Sequence, residues 1–334
     1  MGRREFVIVA AFAVAGIVAF QFSAPGTTGA RRFSLETLIR EWHQGSPATR
    51  ANAAATQRGT IAAPATLEEL RISNVPHLVV SGEARSDIAY ELRVDATGPD
   101  AATAQAAAED MSLAKDDMGR VLSLRLISTA ARDSRQTSQL TLHVPARLAA
   151  RIDGAPRSVG IDVRHVTAVE LDSVVGDVVL EGILGVVGGS HRNGELSVKG
   201  AGSVRLTLSE SNATFASVSG TTTLATRNGR TRVDTPASPI DIESTGTETE
   251  IHLDAVVTVT ALATAGPLHV DVPKDASFIL DASATNGGTI AVRGFDARSD
   301  TETSSATIVE TFGKGGVRIA LRNDRGSIEI SQRK

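Results

Sequence analysis

The sequence predicts an all-β protein, a single-stranded β-helix or β-solenoid whose coils hold roughly 17–21 residues, preceded by an N-terminal transmembrane helix. Three observations predict this class: turn-like glycines recur at that spacing, short strands alternate apolar and polar residues between them, and large aromatic rings are scarce. A period of this size is typical of solenoids, in which each coil buries its apolar side only by stacking on its neighbours. The glycines in turn-like settings, with the Ser209–Asn212 turn filling the longest gap between them, are Gly176, Gly194, Gly229, Gly246, Gly266 and Gly287.

Composition narrows the class further. The 334 residues carry a net charge of −4 with both signs mixed along the chain, and there is no cysteine. The sequence therefore cannot form disulfides or use thiolate chemistry, and the absence of a basic block argues against a nucleic-acid partner. Aromatic residues make up 3% of the chain, so valine, isoleucine, leucine, alanine and threonine must fill the core.

The first 22 residues have the features of a targeting segment. Met1–Glu5 is followed by an uncharged stretch, Phe6–Phe22, whose 17 residues would span about 25 Å as a helix. This is the short end of what a bilayer core of about 30 Å requires. An uncleaved anchor with a cytoplasmic tail over 1–5 and a membrane span over 6–22 is favoured over a cleaved signal peptide, because Thr28-Gly29-Ala30 is the nearest good cleavage site. A cytoplasmic apolar helix is the third alternative.

An uncleaved anchor and a cleaved signal peptide would both lead to export of the body of the chain. The predicted location is the inner membrane of a bacterium, crossed once, with the body in the periplasm or otherwise outside the cytoplasm. Residues 23–69 are predicted to be a linker. Within it Ser34–His43 resembles a short capped helix, and Gln44–Thr66 is rich in alanine, threonine, glycine and proline without periodicity.

Residues 70–157 are predicted to form an N-terminal β region with one helix. Ile88–Val94 alternates as a half-buried strand does. Asp100 is a suitable N-cap for an alanine-rich helix reaching about Met118, with Ala104, Ala108 and Met111 on one face. We expect this region, with its helix, to cover one end of the solenoid, because an open end coil invites edge-to-edge aggregation.

Residues 158–334 are predicted to be the solenoid repeats. Apolar residues alternate with charged and hydroxyl residues, which predicts an inward and an outward side for each short strand. Asn193, Asn212 and Asn228 suggest either a stacked asparagine ladder or simple turn residues. The turn set is completed by Gly326, and the residues assigned to the core are Leu180, Val198, Leu206, Leu224, Ile242, Ile251, Val270, Ile290 and Ile319.

Two stretches carry a family resemblance. Gly176-Asp177-Val178-Val179-Leu180-Glu181-Gly182, and the ending Gly313–Leu321 followed by Gly326–Ile330, resemble the bacterial putative-adhesin family of β-solenoid domains, a head-GIN adhesin-like domain of unknown function. The resemblance covers about Leu70–Ser331. The coil near Ser209–Ser217 is less regular than the family's pattern. The family name implies surface binding, and the family supplies no catalytic residues to carry over.

Two loops contain residue types that suggest a reactive or anion-binding site. His191 lies in a glycine-flanked loop with Ser190 and Arg192, but no third catalytic partner accompanies it, so a surface turn is favoured. Gly313-Lys314-Gly315-Gly316 lacks the spacing of a phosphate-binding loop and its following serine or threonine, which favours a loop that leads into a strand.

Two further groups have the chemistry of metal ligands. His252 and His269 are separated by one predicted coil and could stack on each other, although two solvated histidines are favoured. The carboxylates at positions 241, 243, 248 and 250 form an acidic stretch without the glycine-rich loop of calcium-binding β-rolls, so a solvated face is favoured. No catalytic, cofactor-binding or metal-binding residue is predicted.

The predicted function is a non-enzymatic cell-envelope protein, tethered by its N-terminal helix, that acts as an adhesin-like binding or scaffold module. Its expected partners are the membrane and an envelope protein or glycan, with no cofactor, small-molecule substrate or nucleic acid. The alternatives are an accessory or sensor component of an envelope-stress or signalling system and, with less support, a carbohydrate-active β-helix enzyme. The near absence of aromatic rings for sugar stacking counts against the enzyme.

Overall fold

The computed structural model describes residues 50–130, 133–154, 160–295, 301–304 and 307–333. Residues Arg50–Lys334 form one compact unit. The predicted cytoplasmic tail, membrane segment and Ser34–His43 helix lie outside the described residues. Within the described residues, no helix has both the length and the apolar character needed to cross a membrane.

The described residues form an all-β structure with one helix. The helix, α1, spans Ala101–Asp110. The strands up to the centre of the molecule are β1 (Ala51–Ala62), β2 (Glu69–Ser73), β3 (His77–Glu83), β4 (Asp87–Gly98), β5 (Ser112–Asp117), β6 (Val121–Ile127), β7 (Arg135–Pro145), β8 (Ala149–Asp153), β9 (Gly160–Arg164), β10 (Ala168–Val175) and β11 (Asp177–Val218). The remaining strands are β12 (Thr222–Asp234), β13 (Ile240–His252), β14 (Val259–Ala263), β15 (Leu268–Val272), β16 (Phe278–Ala284), β17 (Thr289–Arg293), β18 (Thr301–Ser304), β19 (Thr307–Phe312), β20 (Val317–Asn323) and β21 (Ile328–Gln332).

The central strands are parallel, and each pairs with the chain one short period further on. Val204 of β11 pairs with Thr222 of β12, and Ile240 of β13 pairs with Val259 of β14. The shortest of these offsets joins Gly160 of β9 to Asp177 of β11. The chain therefore stacks on itself about every 17–19 residues, at the lower end of the predicted range.

The stack has two long faces. Face A contains, in spatial order, β5, β6, β2, β8, β10, the parts of β11 that begin at Val187 and Val204, the part of β12 that begins at Thr222, the first part of β13, then β14, β20, β16 and β19. Face B contains β1, β4, β7, β3, β9, the other parts of β11, β12 and β13, then β15, β21, β17 and β18.

The two faces are joined by corners at which the backbone takes a left-handed conformation. One column of corners runs through Gly182, Gly200, Ser217 and Thr235, with φ between 50° and 69°. Glycines 194, 229 and 246 lie inside the strands, so the predicted turns bend the ladder without ending it. Six of the predicted turn glycines have positive φ and Gly326 does not.

The asparagines do not form a ladder of three. Asn193 and Asn228 occupy corners with φ of 51° and 56°. Asn212 instead has no left-handed backbone, and it lies in register with Arg230. The simpler prediction, that asparagine suits these tight bends, therefore applies to two of the three residues.

The core is a single cluster of aliphatic side chains between the two faces. Its largest fully buried side chains include Phe215 and Phe278, and the rest are mainly leucine, isoleucine and valine. Each of the nine residues that the sequence assigned to the core is at most 3% exposed. These residues alternate with outward polar residues, so the inward and outward sides of the strands are those that the sequence pattern indicates.

The N-terminal end contains the main correction to the sequence analysis. Residues 51–62 were predicted to belong to a linker, but they form β1, which pairs antiparallel along its whole length with β4. The inward side of β1 carries Ala53 and Ala55, which pack beside Ala107 and Ala108 of α1. Because the residues on this side are small, the sequence of β1 shows no clear alternation of apolar and polar residues.

The helix itself matches the prediction at its start. The Asp100 Oδ1 atom accepts a hydrogen bond from the Thr103 N–H at 2.7 Å, and Ala104 and Ala108 are buried. The helix ends at Asp110, earlier than predicted, because Ser112–Asp117 pairs antiparallel with β6. The antiparallel strands β4 and β1 extend face B beyond β7, so this region lies at one end of the stack, as expected for a cap.

The predicted boundary between the N-terminal β region and the repeats, at 157/158, falls among residues outside the described ranges. Strands from both sides of it pair with one another. β3 lies in register with β9, and β2 lies beside β8, which in turn pairs with β10. The two regions therefore share one stack and one core.

At the C-terminal end, the last strands of the chain enter the stack between earlier ones. β20 pairs with β14 on one side and β16 on the other, and β21 likewise lies between β15 and β17. Asp281 of β16 binds both Arg318 and Arg322 of β20. These ion pairs hold the pKa of the Asp281 carboxyl below its usual range, with the Arg318 hydrogen bond as the largest cause.

Candidate functional site

A shallow trough lies on face A. It consists of two adjoining depressions of about 430 and 590 Å³ that share Thr207, Ala225 and Glu243. The trough crosses the strands and so runs along the axis of the stack. We call it the face A trough; the outward residues that line it are Arg205, Thr207, Ser209, Thr223, Ala225, Arg227, Asp241, Glu243, Thr245, Leu262 and Thr264.

Small side chains make the trough. The strand register places outward residues in rows that cross the stack, and the central row runs Thr207, Ala225, Glu243, Leu262. Ala225 is exposed and lies in the middle of this row, where its single methyl group leaves a gap between longer neighbours. Successive residues in a row lie about 4.8 Å apart, so hydroxyl and charged groups are presented at regular intervals.

The charges of the trough have no partners within the described part of the chain. Arg205, Arg227, Asp241 and Glu243 are exposed, and no hydrogen bond or ion pair joins any of them to another described residue. The register explains this: Thr223 separates Arg205 from Asp241, so the two charged residues are two strands, or about 10 Å, apart. The trough therefore presents separate positive and negative groups on a floor of hydroxyl and methyl groups.

At the level of the trough, face B carries ion pairs that link neighbouring coils. Glu181 lies 4.0 Å from Arg164 of the preceding coil and 3.8 Å from Lys199 of the following one. Further along, Arg230 of β12 meets Glu250 of β13 at 2.6 Å. The carboxylates at positions 248 and 250, predicted to be a solvated acidic face with 241 and 243, are therefore on another face and share Arg230.

The two candidate histidines of face B do not stack on each other. The strand register places His252 opposite Asp271, and His269 opposite Glu250. The His252 Nδ1 atom is 3.0 Å from Asp271, and the His269 Nδ1 atom is 3.5 Å from Glu329. The described residues contain no group of three or more histidine or acidic side chains arranged to hold a metal ion.

His191 is the clearest error of the sequence analysis at a candidate site. It was predicted to lie in a surface turn, but its side chain is fully buried. Its Nε2–H donates to the Gly176 carbonyl oxygen at 2.6 Å, and its Nδ1 lies 3.0 Å from the Ser211 hydroxyl. Burial lowers the pKa of His191, which favours the neutral ring with the proton on Nε2.

This buried ring predicts a pH dependence of stability. The pKa of His191 is lowered in the folded state, so the unfolded chain binds the proton more readily. Stability should therefore fall as the pH drops below about 6.5, by at most about 1.4 kcal/mol per pH unit. Urea unfolding of wild type and His191→Gln between pH 7.5 and 5 would measure it.

The variant should be less stable at pH 7.5 but should lose less on acidification. Thr214→Gln is the control, since Thr214 is exposed and carries no titratable group, and it should keep the acid-side slope of wild type. An equal slope in wild type and His191→Gln would contradict the assignment.

The glycine-rich loop at Gly313–Gly316 leads into β20, as the sequence analysis favoured. Gly313 has a positive φ of 58°, and the Lys314 N–H donates to the Ser277 hydroxyl at 3.2 Å. These contacts fix the loop to the start of β16.

Comparison with known proteins yields structural similarity alone. No family model matches the sequence, and no curated protein matches it. A putative cell adhesion protein from Clostridium sporogenes is 9% identical, with 84% of this chain and 100% of that chain covered, at a TM-score of 0.25. A putative adhesin from Bacteroides fragilis is also 9% identical, with 83% and 97% covered, at a TM-score of 0.36. At these values no function passes from either protein to this chain.

Proposed function

We propose that the protein is a non-enzymatic, adhesin-like binding module of the cell envelope, and that the face A trough is its binding surface. The observation that carries this proposal is the set of unpaired charges in the trough. Its four charged residues have no partner among the described residues, whereas at the same level of face B Glu181 pairs with Lys199, and Arg230 pairs with Glu250. A ligand that supplies the opposite charges gains more from such groups than from paired ones.

The shape of the trough limits the ligand. It is long and shallow, and its floor is made of threonine and alanine side chains. An extended polar polymer, such as a glycan that carries charged substituents, fits this surface better than a compact apolar molecule, which needs an enclosed apolar pocket. The trough follows the stack axis, so each coil can contact one or two units of the polymer.

We include the architecture and the location in this proposal. The short and nearly constant pairing offset supports classifying the body as an open β-solenoid, a class that offers extended surfaces for binding. The leader-like sequence of residues 1–22 supports a body outside the cytoplasm, attached to the membrane.

The test uses the full-length protein and purified peptidoglycan sacculi in a sedimentation assay, together with a printed array of bacterial polysaccharides. Ala225→Trp should fill the centre of the trough and weaken binding to the ligand at least tenfold. Thr214→Trp is the matched control: Thr214 is exposed on face B, and this variant should bind as wild type does. Both variants should keep the wild-type unfolding temperature.

Either of two results would overturn the proposal. The first is wild-type protein that binds neither the sacculi nor any polysaccharide on the array. The second is Ala225→Trp protein that binds with wild-type affinity, which would remove the trough from the binding surface.

A further inference from the structure

Among the described residues, the outermost strand of face B at the N-terminal end pairs along one edge only. β1 forms an unbroken register with β4, from Ala51 with Gly98 to Ala62 with Asp87. No described strand pairs with β1 on its other side. Alternate residues along this 12-residue edge therefore direct backbone N–H and C=O groups away from the molecule.

This edge lacks the features that usually prevent strands from pairing. The sequence of β1 has no proline, no lysine, no acidic residue and no bulge. Its one charged residue, Arg58, is bound to Glu91 of β4 through an Nε–Oε2 contact of 2.8 Å. By contrast, β5, the corresponding edge of face A at the same end, contains Lys115, Asp116 and Asp117.

The side chains of β1 also favour pairing with an identical strand. The residues on its outer side are small or polar: Asn52, Ala54, Thr56, Arg58, Thr60 and Ala62. A twofold axis at Thr56 would place Thr56 opposite itself and Ala54 opposite Arg58, and an axis at Gln57 would place Thr56 opposite Arg58. In neither register does Arg58 face a second Arg58, so like charges do not oppose each other.

The inner side of β1 is held in place, so the edge is presented in a fixed conformation. Ala53 and Ala55 pack against the α1 cluster, and Gln57 donates from its Nε2 to the Met111 carbonyl oxygen at 2.8 Å. Ile61 packs against the main core. A strand already fixed in extended form loses little conformational entropy when a second strand pairs with it.

We propose that β1 is a self-association edge: two copies of this chain pair β1 with β1 antiparallel, which joins their B faces into one continuous sheet. The interface consists of one strand from each copy, which is small beside the roughly 1,200–2,000 Å² of stable interfaces. The dimer is therefore reversible and depends on protein concentration. The proposal does not depend on the function of the trough.

The absence of cysteine from the chain gives a direct test. Full-length protein in detergent is prepared as single-cysteine variants Ala54→Cys, Thr56→Cys, Arg58→Cys and Thr60→Cys, and oxidised alone and in mixed pairs. Thr56→Cys should form a disulfide dimer alone if the axis is at Thr56. It should do so mixed with Arg58→Cys if the axis is at Gln57, because directly opposed β-carbons lie about 4.5–5.5 Å apart.

Thr214→Cys is the matched control, since Thr214 is equally exposed on an interior strand of face B, and it should form no disulfide-linked dimer. In the cysteine-free chain, Thr56→Lys should raise the dimer dissociation constant at least tenfold in sedimentation analysis. The reason is that the new ammonium group would face either its own counterpart in the other copy or Arg58, depending on the axis. Thr214→Lys should leave the dissociation constant unchanged.

Three results would overturn the proposal. One is a full-length chain that sediments as a monomer at every concentration tested. Another is disulfide formation at the β1 positions that does not exceed that of Thr214→Cys, as expected if another segment or another protein covers the edge. The third is a dimer that persists unchanged in Thr56→Lys, which would locate self-association elsewhere.

Discussion

Replacing Leu206 by aspartate is expected to destabilise the stack more than any other change considered for this chain. Leu206 is 3% exposed and packs in the core between the two faces. The aspartate would lose the leucine contacts and place a carboxyl group in an apolar interior, at a cost of at least about 4 kcal/mol. Whole domains are stable by about 5–15 kcal/mol, so this change removes a large share of the total.

The adjacent residue provides the control for this prediction. Thr207 is exposed on the outer side of the same strand, so Thr207→Asp should change the free energy of unfolding by less than about 0.5 kcal/mol. Urea unfolding followed by circular dichroism measures both variants, and Ile251→Asp should repeat the result on face B. Unchanged unfolding of Leu206→Asp would show that the inward and outward sides of the strand are wrongly assigned.

Replacing Gly229 by alanine is expected to have the second largest effect. Gly229 has a φ of 101°, and a β-carbon added there would lie 2.2 Å from the Ser211 carbonyl oxygen of the preceding coil. Relief of this clash requires neighbouring coils to separate, which breaks the parallel pairing of β11 with β12. Backbone strain and overpacking together should cost about 3–4 kcal/mol.

The Gly287→Ala variant separates the cost of backbone strain from the cost of the steric clash. Its φ of 86° is also left-handed, but an added β-carbon would meet nothing within 4 Å. Gly287→Ala should therefore show the conformational strain alone, about 1–2 kcal/mol. Thermal or urea unfolding of the two variants should show the larger loss for Gly229→Ala. Equal losses would mean that the close approach of coils at Gly229 does not constrain the fold.

The periodicity of the sequence was sufficient to predict the strands and the core positions in the part of the chain that stacks at regular spacing. Between β11 and β15 the outward and inward residues alternate along most of each strand, and the core positions from Leu206 to Val270 followed from that alternation alone. The N-cap at Asp100 was also readable, because a capping carboxylate before an alanine-rich run has a local physical cause.

Three features could not be predicted from the sequence, because each depends on residues that are distant along the chain. The inner side of β1 is mostly alanine, glutamine and glycine, and it is the alanine surface of α1 and the Met111 carbonyl that make Ala53, Ala55 and Gln57 suitable there. His191 is buried because Ser211 and Gly176, from neighbouring coils, satisfy its two ring nitrogens. The face A trough depends on the register that places Thr223 between Arg205 and Asp241, and a register error of one residue would erase it.

The position of the final coil has a consequence for biosynthesis. β20 and β21 each pair on both sides with strands that precede them in the chain. A chain that emerges from its amino end can complete the coils up to β15, but β16 and β17 cannot join the stack until β20 and β21 arrive to lie between. These two strands therefore close the fold, and a chain interrupted before β20 would leave a gap inside the stack rather than a shorter stack.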